Sequence, residues 1–335
     1  MSERNGKTWS SVLIGVVVAA GLLTAVLAVV FSDPTGKSGP GFETYDISTQ
    51  QRIDPRHVGY VEDAAARIAP GFREVRGVAV GPDDRVHVAG DRAVRVFDAS
   101  GKRLDEVALS GEPRCLAVAD DGALYVAMDD YVERHDLAAG TSERLPPFER
   151  GTLITSLAVH GGEIFVADAG NHVVLRCDAG GREMLRIGQK DESGGGGFVI
   201  PSPHFDLAVA RTGLWVVNPG KQEVRGYTLD GQRQTSWGSG GQAVEGFCGC
   251  CNPGDIALLP DGGFVTSEKG LVRVKVYDPD GSFRCVVAGP DQFAAAAEGL
   301  DLAVDSRGRV LVLDRPAAAV RVFVPKEPSA EEGND

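Results

Sequence analysis

Short apolar runs broken by polar turns recur along most of the chain. In Ser156–Gly181, SLAVHGGEIFVADAGNHVVLRCDAGG, the pattern predicts a strand over Leu157–Val159 and a tight turn at Gly161-Gly162. A second strand follows over Ile164–Ala167, then a polar turn at Asp168–Asn171 and a third strand over Val173–Arg176. β-branched and aromatic residues fill the runs, and Gly, Asp and Asn punctuate them. A unit this small cannot bury its own faces, so it implies neighbours of the same kind.

Those neighbours are present. The first run recurs at Gly77, Cys115, Ser156, Asp206, Asp255 and Asp301, each opening a segment like LAV. The second recurs as VHVAG, LYVAM, IFVAD, LWVVN, GFVTS and VLVLD, and the third as VRVFD, VERHD, VLRCD, VRGYT, VKVYD and VRVFV. Six copies of about 40–50 residues predict an all-β fold, a six-bladed β-propeller with four-stranded blades around a channel. The piece VADAGNHVV, with Asn171-His172-Val173, resembles the NHL-repeat signature, and the resemblance spans roughly Phe72 to Val324. It implies an NHL-type six-bladed propeller and, since one fold hosts many functions, little about chemistry. His172 reads as a turn residue of the repeat.

The N-terminal part has a different pattern. Val12–Phe31 is apolar or small throughout and uncharged; its 20 residues span about 30 Å as a helix, enough to cross a bilayer. Arg4 and Lys7 precede it and Ser32-Asp33-Pro34 stops it. The basic residues on its N-terminal side put that end inside and the propeller outside. The organisation expected is a cytoplasmic tail (Met1–Ser11), a transmembrane signal anchor (Val12–Phe31) and a linker (Ser32–Gly41). The propeller (Phe42–Val324) and a disordered acidic tail (Pro325–Asp335) follow. A cleaved signal peptide is the alternative, although no small-x-small site follows the apolar run. The last repeat ends one strand short, so the segment near His57–Glu62 is expected to close the ring as the missing outer strand. The 34 basic and 47 acidic side chains give a net charge of −13, and no basic stripe is present, which excludes nucleic acid as a partner.

Repeat geometry gathers the candidate chemistry. The first strands begin, and the second strands end, on one side of the disc, here called the upper face. The starts are the six positions above; the ends are Gly90, Met128, Asp168, Asn218, Ser267 and Asp314, with Glu268 one step on. A single Asp at such a place reads as a cap on turn amides. Asp206, Asp255 and Asp301 on consecutive blades repel one another unless something compensates them. In Gly246–Pro253, GFCGCCNP, three cysteines fall within four residues just before Asp255. Cys248, Cys250 and Cys251 suit a soft or borderline metal such as zinc, copper or an iron–sulfur cluster. They equally suit a redox dithiol, with Cys248 and Cys251 in C-x-x-C spacing, or a structural disulfide. Cys115, His204, Asp206, Asp255 and Asp301 are further candidate ligands on the same face. The block resembles loops in uncharacterised bacterial NHL-type proteins, which implies no activity. Cys177 and Cys285 read as packing residues, and Trp215 and Trp237 as core.

Three functions stay open. One is a membrane-anchored, extracytoplasmic binding or sensor module that offers its upper face to a protein or small-molecule ligand. Another is an enzyme: the resemblance includes metal-dependent lactonases and lyases, and carboxylates such as Asp206, Glu268 and Asp314 offer calcium the oxygen ligands such a site needs. The last is an electron-transfer accessory using the cysteine loop. The chain carries no nucleophile elbow, HExxH motif or kinase signature.

Overall fold

A computed structural model describes residues 52–190, 196–294, 297 and 299–327. The expected span Val12–Phe31 lies outside the described residues; among those that are described, no helix is long and apolar enough to cross a membrane. Six four-stranded antiparallel sheets follow one another along the chain. Strand β1 is Tyr60–Glu62. The first blade is β2 (Val75–Val80), β3 (Val86–Gly90), β4 (Ala93–Phe97) and β5 (Arg103–Ala108). The second is β6 (Cys115–Val118), β7 (Leu124–Ala127), β8 (Val132–Asp136) and β9 (Thr141–Arg144). The third is β10 (Ile154–His160), β11 (Glu163–Asp168), β12 (Val173–Cys177) and β13 (Glu183–Ile187). The fourth is β14 (Leu207–Ala210), β15 (Gly213–Asn218), β16 (Glu223–Tyr227) and β17 (Arg233–Trp237). The fifth is β18 (Asp255–Leu258), β19 (Phe264–Glu268), β20 (Arg273–Tyr277) and β21 (Phe283–Ala288), and the last holds β22 (Asp301–Val304), β23 (Val310–Asp314) and β24 (Ala319–Pro325).

Burial explains the three kinds of run. The second strand of each blade is covered on both faces by neighbouring blades, so VHVAG, LYVA and VLVLD are buried throughout. Fourth strands form the outer rim, and β5, β9 and β17 are almost wholly exposed and polar. The core is a set of apolar clusters between blades. Val88, Phe97, Leu311 and Val320, for example, join the first and last blades. The Gly161-Gly162 turn has positive φ at both residues, +61° and +79°, which a two-residue hairpin between β10 and β11 requires. His172, at φ +58°, is the exposed turn residue that the repeat pattern implied.

The ring closes through its N-terminal segment. Strand β1 is the outermost of the last blade and pairs with β24, Tyr60 opposite Pro325 and Glu62 opposite Phe323. Arg321 clamps it with a two-pronged ion pair to Glu62, at 2.9 and 2.5 Å. Gly59 lies so close to the fifth blade that a Cβ there would meet the Cys285 sulfur at 2.5 Å. Strand β24 takes in Pro325, one residue beyond the expected end of the propeller.

Candidate functional site

The innermost strands leave a channel that opens on the upper face into a cavity of about 600 Å³. Its floor is built by the first-strand start positions. Asp206 Oδ2 accepts from Ile256 N at 2.6 Å, Asp255 Oδ1 from Leu302 N at 3.1 Å, and Asp301 Oδ2 from Val78 N at 2.7 Å. Each carboxylate therefore ties its blade to the innermost strand of the next. On the other half of the ring the same position is Gly77, Cys115 or Ser156. A Cβ at Gly77 would meet Leu116 Cδ2 at 2.7 Å and Asp301 Oδ2 at 3.4 Å, so glycine makes room for the aspartate.

The three acids are half-buried around one opening. Burial pushes Asp206 up to about 7, against hydrogen bonds from Ser156 and Ile256 N. Asp255 is raised well above the usual carboxylate range by burial and then by the charges of Asp206 and Asp301. Burial also raises Asp301, with Arg315 opposing it. The Cys115 thiol goes up for the same reasons, burial first and then the carboxylates. At neutral pH the floor thus holds protons that free carboxylic acids would have lost.

The wall carries both arginines and acids, at positions outside the aligned strand starts and ends. Arg76, Arg114 and Arg315 line the cavity together with Glu112, Asp129 and His204. Arg315 Nη2 donates to Arg76 O at 3.1 Å, and Arg114 Nε to Asp129 Oδ1 at 2.6 Å. His204 lies against Gly299, where an added Cβ would meet its Cε1 at 2.3 Å. Arg76 is the extra residue of a bulge between Val75 and Gly77, and Thr155 is its counterpart between Ile154 and Ser156. A bulge re-aims a side chain, and both residues line the cavity. The signal was available one step upstream: Arg76, Arg114, Thr155, Phe205, Gly254 and Leu300 directly precede the six start positions, and all line the cavity.

Five of the eight expected ligands thus meet: Cys115, His204, Asp206, Asp255 and Asp301. Cys248, Cys250 and Cys251 are not among the residues lining that cavity. Among the described residues, no three His, Cys, Asp or Glu side chains gather closely enough to hold a metal ion. The second-strand ends are committed elsewhere. Asp168 is fully buried and accepts from Leu153 N, Gly170 N, Asn171 N and Thr152 Oγ1. Asn218 caps Val199 N, and Asp314 bonds Ala317 N and lies 3.6 Å from Arg321. Glu268 is not a rim carboxylate. It is buried, binds Arg273 at 2.6 Å and Lys275 at 3.1 Å, and accepts from Cys248 N at 2.7 Å. Lys269 Nζ donates to Ser202 Oγ at 2.7 Å.

No protein-family model matches this sequence, and no curated protein matches it. Solved structures do match it by fold. A protein of unknown function from Bacteroides thetaiotaomicron is 16% identical, with a TM-score of 0.57, covering 80% of this chain and 72% of its own. A streptogramin B lyase is 11% identical, with a TM-score of 0.55, over 80% of this chain and 97% of its own. Virginiamycin B lyase from Staphylococcus aureus is 13% identical, with a TM-score of 0.55, over 78% and 98%. At these identities the likeness is one of fold. It carries the propeller architecture that the NHL-like motif implies, and assigns neither a family nor an activity.

Proposed function

We propose that this protein is a membrane-tethered, extracytoplasmic binding module that takes a small polar ligand into the upper cavity. The observation that carries the reading is the cavity's charge layout. About 600 Å³ is floored by Asp206, Asp255 and Asp301 and walled in part by Arg76, Arg114 and Arg315. A cationic group on the floor relieves repulsion among the acids, and an anionic group finds guanidinium donors beside it. A ligand bearing both charges, such as an amino acid or a peptide terminus, suits both surfaces. The tether rests on the uncharged run Val12–Phe31 and the basic residues before it.

Thermal unfolding with zwitterionic, cationic, anionic and neutral small molecules tests the reading. A zwitterion at a hundred times its Kd stabilises the fold by about 2.7 kcal/mol. The shift should vanish in the double variant Asp255→Asn/Arg315→Ala. Equal shifts with neutral compounds, or shifts unchanged in the double variant, contradict it.

An enzymatic reading has one observation in its favour. Asp206, lifted to about 7, lines the cavity, which supplies a group for proton transfer near neutral pH. Two of the similar structures are streptogramin-type lyases. Turnover of a bound compound that Asp206→Asn abolishes without loss of binding would move the assignment to that class.

A further inference from the structure

The cysteines divide by surroundings. Cys115 and Cys177 are buried, and burial raises both thiols, Cys177 to about 12. Cys285 fills the space beside Gly59. Cys250 is exposed and Cys251 half-buried, and their sulfurs lie 3.4 Å apart. The loop that carries them is fixed on several sides. Phe247 is fully buried beside Trp237 and Tyr277. Lys275 Nζ donates to Gly246 O at 2.7 Å, and Gln222 Nε2 to Gly249 O at 2.7 Å. The buried Asn252 accepts from Lys269 N at 2.9 Å and donates to Lys269 O at 3.0 Å, and its amide also reaches Cys248 O. A rigid frame thus presents two touching thiols at the surface.

We infer that Cys250 and Cys251 are a surface dithiol that exchanges with external disulfides and closes on itself. The thiolate of one cysteine attacks a sulfur of a small disulfide RS–SR, forming a mixed disulfide and releasing RS⁻. The second cysteine, once deprotonated, attacks the protein sulfur of that mixed disulfide and displaces the other RS⁻. The protein loses two electrons and two protons, and the small disulfide leaves as two thiols. Adjacent Cα atoms are about 3.8 Å apart across a trans peptide, closer than the ~4.4–6.8 Å usual for a disulfide. Closure between neighbours is therefore strained and readily reversed, which suits exchange and gives little stability. Cys251 beside it raises the Cys250 thiol, while Lys269 acts in the opposite direction. Exchange should accordingly quicken as pH rises. The C-x-x-C spacing of Cys248 and Cys251 offers a rival pair; the sulfur contact selects Cys250 and Cys251. The inference is independent of the upper cavity.

The test uses the full chain, reduced, then treated with oxidised glutathione without air, acid-quenched and alkylated with iodoacetamide. The wild type should carry two carbamidomethyl groups fewer than the reduced control, lack the two thiol hydrogens as well, and carry no glutathione. Cys248→Ser should close in the same way. Cys250→Ser should instead keep a glutathione adduct on Cys251. Loss of closure in Cys248→Ser, a lasting glutathione adduct on the wild type, or full alkylation of all three loop cysteines would overturn the assignment.

Discussion

Asp206→Asn isolates the charge of the cavity floor. Asparagine keeps an oxygen to accept from Ile256 N and Ser156, and removes the titrating proton. Unfolded, Asp206 titrates near 3.8; folded, burial holds it near 7. Between those values the native state binds the extra proton, so the acid's stabilising contribution is complete below about pH 4 and is lost as pH rises through about 7. The full gap corresponds to about 4 kcal/mol, reduced to about 2–3 kcal/mol by solvent in the open channel. Asp255 and Asp301, also raised, act in the same direction in the wild type. His87, whose imidazole burial holds down, acts against them, because it gains stability as pH rises through its ordinary value. Comparing variant with wild type cancels His87. Urea unfolding followed by tryptophan fluorescence, from about pH 5 to about pH 8, reads the difference. Relative to its level below about pH 4, the variant's advantage should be about 1 kcal/mol near pH 5 and about 2–3 kcal/mol near pH 8. A difference that stays constant, or that favours the wild type more as pH rises, refutes the reasoning.

The blade closure depends on the Glu62–Arg321 pair, so Glu62→Ala should lower unfolding stability by about 1–3 kcal/mol in chemical denaturation; an unchanged midpoint would show that the strand pairing suffices alone. Glu268→Gln leaves Arg273 and Lys275 buried without their carboxylate and should cost about 3–5 kcal/mol, with faster alkylation of Cys248 as its loop loosens. A melting curve like that of the wild type would contradict that account of the loop. Protease added to intact cells should digest the propeller if Val12–Phe31 tethers it outside; digestion only after lysis would reverse the orientation.

Particular residues show why some features were legible in the sequence and others were not. The blades could be read because each second strand is covered on both faces and leaves an unbroken apolar run such as VLVLD. The closing strand followed from a count, since the last repeat had no fourth run, and Tyr60–Glu62 fills it. Asp206, Asp255 and Asp301 were found because they occupy one repeat position. Their hydrogen bonds to the next blade were not, since that register is a tertiary property. Arg76 and Arg114 sit one residue before the aligned starts, where a local backbone bulge at Arg76, not residue type, decides its aim. The cysteine loop was expected beside Asp255 because it precedes it in sequence. Asn252 and Glu268 tie it to the end of the fifth blade's second strand, and its three cysteines are not among the residues lining the cavity.

The most direct test of the binding account is a crystal structure of the propeller soaked with the compound that raises its melting temperature most. The account predicts density in the upper cavity, with a cationic group over the carboxylates of Asp206, Asp255 and Asp301 and an anionic group at Arg315. A compound bound elsewhere, with the upper cavity empty, would contradict it.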